Sequence, residues 1–296
     1  MNTPNLFVVG APKSGTTAMN HYLKKHPDVF MAVKELHFFG EDLKMKGRIS
    51  KAEYMREFEA ANEKKIKGEA SVWYLYSSTA AAEIKSFAPD AKIIIMLRNP
   101  VEVIYSLHSQ HLYDGNEDVS NFQKALKLDV LRRKGLNQPN AIDFYELPPY
   151  IDSVSFSEQV KRYFDVFGRA NVKIIVYDDF VADTKKVVAE TFSFLGVDPE
   201  INIQTNVINA NKRVQHFGLH RMIKKPPSIL QKIARVIIPF RSLRGLIMKL
   251  LYKRNIQSKP RKKMNENVRG RLKEELKGGV ADLSTIVERD LSHWVA

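Results

Sequence analysis

A glycine-containing turn near the N-terminus carries the residues best suited to hold an anion. In LFVVGAPKSGTTAMNHYL, residues 6–23, an apolar strand runs into the turn and the turn runs into a helix. The backbone N–H groups of such a turn and of the helix N-terminus can cradle phosphate oxygens. Thr16 and Thr17 add hydroxyl donors, and Lys13 can approach an oxygen on which charge develops as a leaving group departs. The turn therefore predicts a site for a phosphorylated ligand.

The turn differs from the common nucleotide loop G-x-x-x-x-G-K-[ST]. Gly10 and Gly15 have the spacing of that motif, but Thr16 occupies the lysine position and Lys13 lies inside the loop instead. A glycine-containing turn on its own is more often structural than functional. The combination Pro-Lys-Ser-Gly-Thr-Thr favours a functional loop, with a ligand other than that of the usual ATP loop.

A second candidate anion site follows the apolar run KIIIML, residues 92–97. Arg98 stands where this predicted strand ends, Pro100 can begin a helix, and Ser106 lies two turns into that helix. A guanidinium at a strand end can form a two-pronged contact with a phosphate, and Ser106 could meet the same anion. The alternative is an arginine that pairs with a structural carboxylate.

Three charged or titratable residues follow another predicted strand, which ends near Val33. They are Lys34, Glu35 and His37. Catalytic groups of parallel α/β proteins belong at the carboxyl ends of strands, where the crevice opens. An acid followed by a histidine is, by itself, more often ordinary surface or a satisfied buried pair, so the context decides between the two interpretations.

These stretches resemble the PAPS-dependent sulfotransferases, in particular the heparan-sulfate-type sulfotransferases and their bacterial relatives. GAPKSGTTAMNHYLKKHP resembles the loop that binds the 5′-phosphosulfate of 3′-phosphoadenylyl sulfate (PAPS). R-N-P-x(5)-S resembles the 3′-phosphate site, and KELHFF resembles the segment with the general base. The match extends along the whole chain in outline. It implies an α/β fold of the P-loop type, a parallel sheet flanked by helices, with a basic helical C-terminal extension.

The resemblance implies a role for each candidate residue. Lys13 would stabilise the charge on the departing phosphate oxygen, Glu35 would remove the proton of the acceptor hydroxyl, and His37 would assist it or position the acceptor. The implied cofactor-binding residues are Lys13, Ser14, Gly15, Thr16, Thr17, Arg98 and Ser106, with an extension to Lys212 and Arg213 in a basic loop over the nucleotide. No metal is expected, because basic groups would do the neutralising that Mg²⁺ does in phosphoryl transfer.

Two positions depart from the family's G-E-[AK]-[ST]-P-x-Y segment in GEASVWYLYSS, residues 68–78. Val72 replaces the usual proline, and Ala70 replaces the lysine of the animal heparan enzymes. Lys34 is the candidate here to take over the role of that lysine. The same stretch contains three aromatic residues, Trp73, Tyr74 and Tyr76. They could form a wall on which sugars stack, or they could belong to the core.

The elements that must position these residues alternate along the chain. Buried parallel strands are predicted at residues 6–9, 29–33, 92–97 and 172–177, and helices at 15–25, 78–87, 100–112, 157–167 and 184–195. This alternation indicates an α/β fold. We expect a single domain over residues 1–296, with an α/β nucleotide-binding core at 1–200 and a basic helical part at 201–296. Residues 114–152 predict a long insertion over the active face, with a flexible connection as the alternative.

Composition excludes several function classes. The chain has 296 residues, 44% of them hydrophobic, and no cysteine, so disulfides, a thiolate nucleophile and a thiolate metal site are all ruled out. The N-terminus lacks the basic and apolar regions of a secretory signal, and no apolar run is long enough to span a bilayer. These features predict a cytoplasmic protein, with association at the inner face of a membrane as an open alternative.

The net charge of +14 is concentrated in the C-terminal third. Residues 212–273 contain 19 lysines and arginines and one acid, Glu266. Such a stripe attracts polyanions, anionic lipid or an acidic substrate, and it can also be a solvated face. Within it, residues 228–255 could lie on an anionic membrane, or could form two helices packed on the domain. The chain ends in R-D-L-S-x-W, in which Trp294 is expected to pack.

The resulting hypothesis is in-line transfer of a sulfuryl group from PAPS to a hydroxyl, with an amine as second choice, of a carbohydrate or another small or lipid-linked acceptor. One alternative is a nucleotide-dependent kinase of the P-loop class, which the absent GK[ST] disfavours. Another is a non-enzymatic protein that binds an anionic membrane or a nucleic acid through residues 212–273. No nucleic-acid-binding module is recognisable, so a nucleic-acid partner is not expected. No feature of the sequence indicates the acceptor's identity or an oligomeric state.

Overall fold

The chain folds around a parallel β-sheet with helices on both faces. The computed structural model describes residues 2–201, 203–204, 212–214, 240–258 and 262–296. The strands are β1 (Leu6–Gly10), β2 (Val29–Met31), β3 (Ile66–Ala70), β4 (Lys92–Leu97), β5 (Val172–Val176), β6 (Lys212–Val214) and β7 (Ile256–Ser258). The helices are α1 (Thr16–Leu23), α2 (Lys51–Arg56), α3 (Ala80–Phe87), α4 (Pro100–Asp114), α5 (Phe122–Arg132), α6 (Phe156–Phe167), α7 (Tyr177–Ala182), α8 (Thr184–Leu195), α9 (Arg241–Asn255) and α10 (Glu266–Ile286).

The main sheet has five strands in the order β2-β3-β1-β4-β5, and neighbouring strands are parallel throughout. β1 lies at its centre, where Leu6 is paired with Gly68 of β3 on one side and with Lys92 of β4 on the other. β6 and β7 form a separate antiparallel pair, in which Lys212 lies opposite Ser258. Because the five strands are parallel, the segments that follow them meet at one edge of the sheet.

Both faces of the central strand are covered by helices. Leu6 and Val8 of β1 pack with residues of α1 and α8, whereas Phe7 and Val9 pack with α3, α4, α6 and α10 on the other face. All four side chains are fully buried. Burial on both faces explains why β1 is a continuous apolar run rather than an alternating one.

The predicted α/β fold, with a parallel sheet flanked by helices, is confirmed. The strand predicted at 92–97 and the helix predicted at 184–195 have the predicted bounds. The strand predicted at 29–33 is shorter, because the chain leaves the sheet after Met31 and Val33 is 61% exposed. The division into a core and a basic helical part stays a prediction.

The segment 114–152 is more regular than its sequence indicates, because it contains α5. A buried ion pair joins Arg132 at the end of α5 to Glu117, with a distance of 2.7 Å between Nη1 and Oε2. The Tyr150 hydroxyl donates to the same carboxylate at 2.8 Å. A flexible connection is therefore wrong for this segment, because a buried charge pair and its hydrogen bonds fix its two ends together.

No prediction covers β3, whose sequence IKGEA contains two charges and a glycine. The strand nevertheless lies between β2 and β1. A Cβ atom at Gly68 would lie 2.6 Å from Met31 Sδ and 3.1 Å from a Leu6 methyl carbon, so only glycine allows the two neighbouring strands to pack this closely. The buried carboxylate of Glu69 is satisfied by hydroxyl groups from outside the strand.

The C-terminal end is packed beside the second candidate anion site. Trp294 is 1% exposed, and its indole N–H donates to the Asp178 carboxylate at 2.8 Å. The side-chain amide of Asn99, the residue after Arg98, donates to the Trp294 carbonyl oxygen at 2.8 Å. The predicted packing role of Trp294 is confirmed, and the same contacts hold the start of α4 in place.

Candidate active site

The predicted site residues follow three strands at one edge of the sheet. The glycine-containing turn follows β1, Arg98 follows β4, and Lys34 to His37 follow β2. β4 is the direct neighbour of β1, whereas β2 is separated from β1 by β3. The turn and Arg98 are therefore adjacent, and the segment after β3 lies between the turn and Glu35.

The turn after β1 requires glycine at its last position. Gly15 has φ 93° and directly precedes α1, which begins at Thr16. A Cβ atom there would lie 3.2 Å from the Tyr177 ring and 3.3 Å from both Met96 and Phe180. The Thr16 and Thr17 amides, the first two of α1, have no hydrogen-bond partner among those the structure describes, whereas the Ala18 and Met19 amides donate to the Gly15 carbonyl oxygen. Amides at a helix N-terminus that have no partner in the protein are the kind of donor that can bind phosphate.

The remaining residues of the turn differ in exposure. Ser14 is fully buried and Thr16 is 4% exposed, whereas Thr17 lies at the surface. Lys13 has φ 63° and its ammonium group donates to Gln110 Oε1 on α4 at 2.9 Å. The Gln110 side chain in turn donates to Asp114 at 2.8 Å, so an acidic residue orients the amide that holds the lysine.

The second candidate anion site touches the first. Nη1 of Arg98 donates to the Lys13 carbonyl oxygen at 3.1 Å, and its guanidinium lies 4.5 Å above the ring of Tyr177. Both contacts restrict the orientation of the side chain. A guanidinium has five N–H donors, and only one of them is used among the contacts of Arg98 that the structure describes. The others can serve a phosphate.

Ser106 lies on α4, two turns after Arg98, and is 2% exposed. An anion that reaches it must therefore be enclosed by the segments that lie against α4. One of these segments is β6. A second is the stretch that contains Lys262, whose carbonyl oxygen accepts a hydrogen bond from the Tyr105 hydroxyl of α4 at 3.0 Å. The backbone of Lys212 and Arg213 belongs to β6, but their side chains lie outside the described part of the chain. Their contact with the nucleotide stays a prediction.

Glu35 lies at the centre of a small charged cluster. Its Oε2 is 3.0 Å from His37 Nε2 and accepts the Val72 N–H at 3.1 Å, and its Oε1 is paired with the Lys34 ammonium group. Burial alone would raise the pKa of Glu35, but the hydrogen bond from His37 and the charge of Lys34 outweigh it and lower the pKa to about 2. Glu35 is therefore a carboxylate at any physiological pH.

The backbone around Glu35 is held in an uncommon conformation. Glu35 has φ 66° and His37 has φ 47°, a left-handed region that residues with a Cβ rarely adopt. The Glu35 N–H donates to the Ala70 carbonyl oxygen at 2.9 Å, which attaches the segment to the end of β3. Backbone strain of this kind is typical of functional sites.

The aromatic residues after β3 belong to the core. Trp73 is 6% exposed and Tyr74 is fully buried, so neither can form a wall on which sugars stack. Trp73 packs parallel to His111, with ring centroids 5.9 Å apart. Of the three aromatic residues, only Tyr76 is partly exposed.

Three residues of the site carry a signal too weak to be predicted. Glu69 is a buried carboxylate beneath the Glu35 segment, Gln110 holds the Lys13 ammonium group, and Tyr177 supports Arg98. Tyr177 is the first residue of α7 and directly follows β5. Gln110 lies one turn after Ser106, and this spacing on α4 is the signal that could have identified it.

The fold and this arrangement define a class of protein, the α/β proteins with candidate anion-binding residues at the carboxyl ends of parallel strands. Comparison with known proteins narrows the class. A family model described as "Sulfotransferase domain" matches residues 3–274. The chain belongs to the sulfotransferase family.

Individual proteins that resemble this chain share about a third or less of its residues in the aligned region. Membrane-associated sulfotransferase kil1 of Dictyostelium discoideum is 31% identical over 33% of this chain and 21% of its own length. Heparan sulfate glucosamine 3-O-sulfotransferase 5 of Mus musculus is 20% identical over 80% of this chain and 70% of its own length. The solved sulfotransferase of Alicyclobacillus acidocaldarius is 28% identical, with a TM-score of 0.72 over 99% of both chains. The chain spans less than half the length of several curated relatives that it matches.

The described residues show neither a metal-binding cluster nor a membrane-spanning helix. In that part of the chain, no group of three histidine or acidic side chains is placed to hold a metal ion. None of the helices within the described ranges is both long and apolar enough to cross a membrane.

Proposed function

We propose that this protein transfers a sulfuryl group from PAPS to a hydroxyl group, with an amine as the alternative, of a carbohydrate or of another small or lipid-linked acceptor. The observation that carries the proposal is the hydrogen bond from Arg98 to the Lys13 carbonyl oxygen. It joins a turn suited to a 5′-phosphosulfate to an arginine suited to a 3′-phosphate. A ligand with phosphates at both ends of one nucleoside fits such a pair of sites.

Each residue of the turn has a distinct role in this proposal. The amides around Gly15 and the hydroxyls of Ser14, Thr16 and Thr17 bind the 5′-phosphosulfate. Lys13 leaves Gln110 and stabilises the negative charge that builds on the phosphate oxygen as the bond between that oxygen and sulfur breaks. Arg98 and Ser106 bind the 3′-phosphate, and β6 encloses it against α4.

Glu35 takes the proton that the acceptor loses. As the acceptor oxygen forms its bond to sulfur, its hydrogen passes to the Glu35 carboxylate. A carboxylate with a pKa of about 2 is a weak base. At least one of the interactions that lower the pKa of Glu35 therefore has to be removed before it can accept the proton. The sulfate group would draw the Lys34 ammonium group away from Glu35, which raises the basicity of Glu35 where it is needed. Lys34 thus serves both groups, and His37 orients the carboxylate through its 3.0 Å contact.

The acceptor reaches Glu35 beside the segment 114–152. Met45 and Phe144 form an antiparallel bridge, which joins the end of this segment to the loop that follows the Glu35 segment. Phe144 also packs edge-on against Trp73, with ring centroids 5.5 Å apart. We infer that the segment shapes the acceptor side of the site. Relatives named as carbohydrate or heparan sulfate sulfotransferases support a sugar acceptor.

The experiment that tests the proposal is transfer of label from ³⁵S-labelled PAPS to a panel of glycans, lipids and phenols. Wild-type protein should label an acceptor without added Mg²⁺, and Lys13→Ala should lower the rate about a hundredfold or more. A wild-type protein that labels no acceptor and prefers ATP with Mg²⁺ over 3′-phosphoadenosine 5′-phosphate (PAP) would favour the kinase alternative. Activity that is indifferent to Glu35→Gln would exclude the proposed base.

A second feature bears on where the acceptor is found. On α9, the side chains of Leu243, Leu246 and Leu250 are 45 to 53% exposed and recur at helical spacing, and Phe240 just before the helix is 69% exposed. The helix sequence contains five lysines and arginines and no acid. An apolar stripe on a basic helix suits the plane of an anionic membrane surface. We therefore retain peripheral contact of a cytoplasmic enzyme with such a surface, in line with the description of the Dictyostelium relative as membrane-associated.

A further inference from the structure

A fully buried carboxylate lies beneath the segment that carries the candidate base. Glu69, on β3, is 0% exposed. Three hydroxyl groups donate to it: that of Tyr54 at 2.6 Å, that of Ser71 at 3.0 Å, and that of Tyr74 at 3.2 and 3.3 Å from its two oxygens. Above about pH 7, where Glu69 is ionised, its carboxylate has only acceptor sites, so it can take the hydrogens of all three hydroxyls at once.

Two of these hydroxyl groups also contact the segment above them. Because Ser71 and Tyr74 direct their hydrogens to Glu69, their oxygen lone pairs are left for the segment. The Ser71 oxygen accepts the His37 N–H at 3.1 Å. The Tyr74 oxygen accepts the N–H groups of the next two residues, at 2.9 and 3.2 Å. One buried carboxylate thereby determines the direction of three successive backbone hydrogen bonds.

The third hydroxyl group lacks such a contact in the described hydrogen bonds. Tyr54 belongs to α2, and its ring stacks on Phe38 with centroids 4.4 Å apart. Its hydroxyl donates to Glu69 without accepting from the segment. Tyr54 and Tyr74 are both fully buried tyrosines bonded to the same carboxylate, yet they differ in whether they reach the backbone.

The segment needs this support because of its backbone conformation. Glu35 and His37 both have a positive φ in the left-handed region, whereas Leu36 between them does not. Such a conformation persists only where the surroundings impose it. If the three amides lost their acceptors, the segment could relax, and the contact between His37 Nε2 and Glu35 Oε2 would be lost with it.

We propose that Glu69 is a positioning residue, which fixes the backbone of residues 37–39 through the hydroxyls of Ser71 and Tyr74 and thereby orients the Glu35 carboxylate. The effect of Glu69 on catalysis rests on the proposed function, whereas the hydrogen bonds that link Glu69 to the segment are independent of it. The absence of a cation among the described hydrogen-bond partners of Glu69 distinguishes it from a structural ion pair such as Arg132 with Glu117.

The test compares Tyr74→Phe with the matched variant Tyr54→Phe in the full-length protein. Each removes one hydroxyl bond to Glu69, but only Tyr74→Phe removes the acceptor of two segment amides. Amide hydrogen exchange at residues 38 and 39 should be about tenfold faster in Tyr74→Phe and unchanged in Tyr54→Phe. With the acceptor found for the wild type, kcat should fall roughly tenfold to a hundredfold in Tyr74→Phe, with PAP affinity unchanged, and less than about threefold in Tyr54→Phe.

Ser71→Ala and Glu69→Gln extend the test should Tyr74→Phe unfold. At pH 8, where Glu69 is ionised in the wild type, both should speed exchange of the His37 amide and lower kcat without changing PAP affinity. Equal exchange and equal kcat in Tyr74→Phe and Tyr54→Phe would overturn the inference. A wild-type protein that transfers no label would overturn the proposed function instead, and the exchange rates would still decide whether Glu69 fixes the segment.

Discussion

The guanidinium of Arg98 donates a hydrogen bond to the carbonyl oxygen of Lys13, at 3.1 Å. The two residues are 85 positions apart in the sequence and come from the ends of adjacent strands, β1 and β4. In the proposed function, this contact joins the two proposed phosphate sites into one continuous surface. A ligand that carries phosphate at one end only would then use half of this surface.

Replacing the proposed base should affect the rate and spare the binding of the donor. Glu35→Gln keeps the size of the side chain and its bond from the Val72 N–H, but the amide cannot accept a proton. We expect kcat for sulfuryl transfer to fall by about 10²- to 10⁴-fold, with the affinity for PAP changed less than about threefold. Steady-state kinetics and isothermal titration calorimetry measure the two quantities.

The control for this variant is Glu41→Gln. Glu41 lies in the same loop and is exposed, so the change removes one charge near the site without touching the cluster. Its kcat should match the wild type. If both variants lose activity equally, the effect belongs to the charge of the loop rather than to a proton transfer.

Stability should depend on pH in opposite ways for the two glutamates. The pKa of Glu35 is held at about 2, so the stability it contributes is present above about pH 4.5 and is lost as the pH falls toward 2. Burial raises the pKa of Glu69 to about 7, against the lowering effect of its hydroxyl partners. Its contribution is therefore present below about pH 4.5 and is lost as the pH rises through 7.

Urea unfolding of the wild type and Glu69→Gln between pH 4.5 and 8 isolates the second effect. The free energy of unfolding of the wild type, relative to the variant, should decrease by on the order of 3 kcal/mol as the pH rises across that window. A difference that stays constant with pH would show that Glu69 does not titrate there.

The glycine at the end of the turn should tolerate no side chain. Gly15→Ala places a Cβ atom 3.2 Å from the Tyr177 ring in a left-handed conformation, φ 93°. We expect a loss of about 1–3 kcal/mol in the free energy of unfolding and a clear loss of PAP affinity. Gly47→Ala is the control, because Gly47 also has a positive φ, 69°, but nothing described by the structure lies within 4 Å of its Cβ position. Comparable PAP affinity in both variants would contradict the role of the turn.

Some of this architecture is readable from the sequence and some is not. The fold class can be predicted from the alternation of apolar runs with helical patterns. The turn after β1 and Arg98 can be predicted because each directly follows an apolar run and contains residues that can bind an anion. Each of these patterns lies within one short stretch of sequence. The position of Glu35 after a strand is readable for the same reason.

Other features arise only when distant segments meet. The strand β3 has the polar sequence IKGEA, and Glu69 is stable there because hydroxyls from α2 and from the turn after β3 converge on it. The regularity of the segment 114–152 depends on the buried pair of Arg132 and Glu117, which are 15 residues apart. The contact of Lys13 with Gln110 joins residues 97 positions apart. Tertiary contacts of this kind override local propensity.

In the proposed membrane contact, the exposed leucines of α9 should determine the strength of binding. Leu246→Asp together with Leu250→Asp should lower binding to phosphatidylserine-containing vesicles by about tenfold or more, since each change removes apolar contact and adds like charge to the lipid. Leu136→Asp is the control, because Leu136 is 55% exposed but lies elsewhere. Binding should weaken with salt, and vesicles of phosphatidylcholine alone should bind less. Equal sedimentation of both variants with vesicles would remove α9 as the contact.

The most direct test of the central claim, that one ligand with phosphates at both ends bridges the turn and Arg98, is the calorimetric affinity for PAP compared with that for AMP, without Mg²⁺. The two nucleotides differ only in the 3′-phosphate. The wild type should prefer PAP by roughly tenfold to a hundredfold, the value of a charge-assisted contact, and Arg98→Ala should lose most of this preference while binding AMP as before. Equal affinity of the wild type for PAP and AMP, or an unchanged preference in Arg98→Ala, would contradict the account.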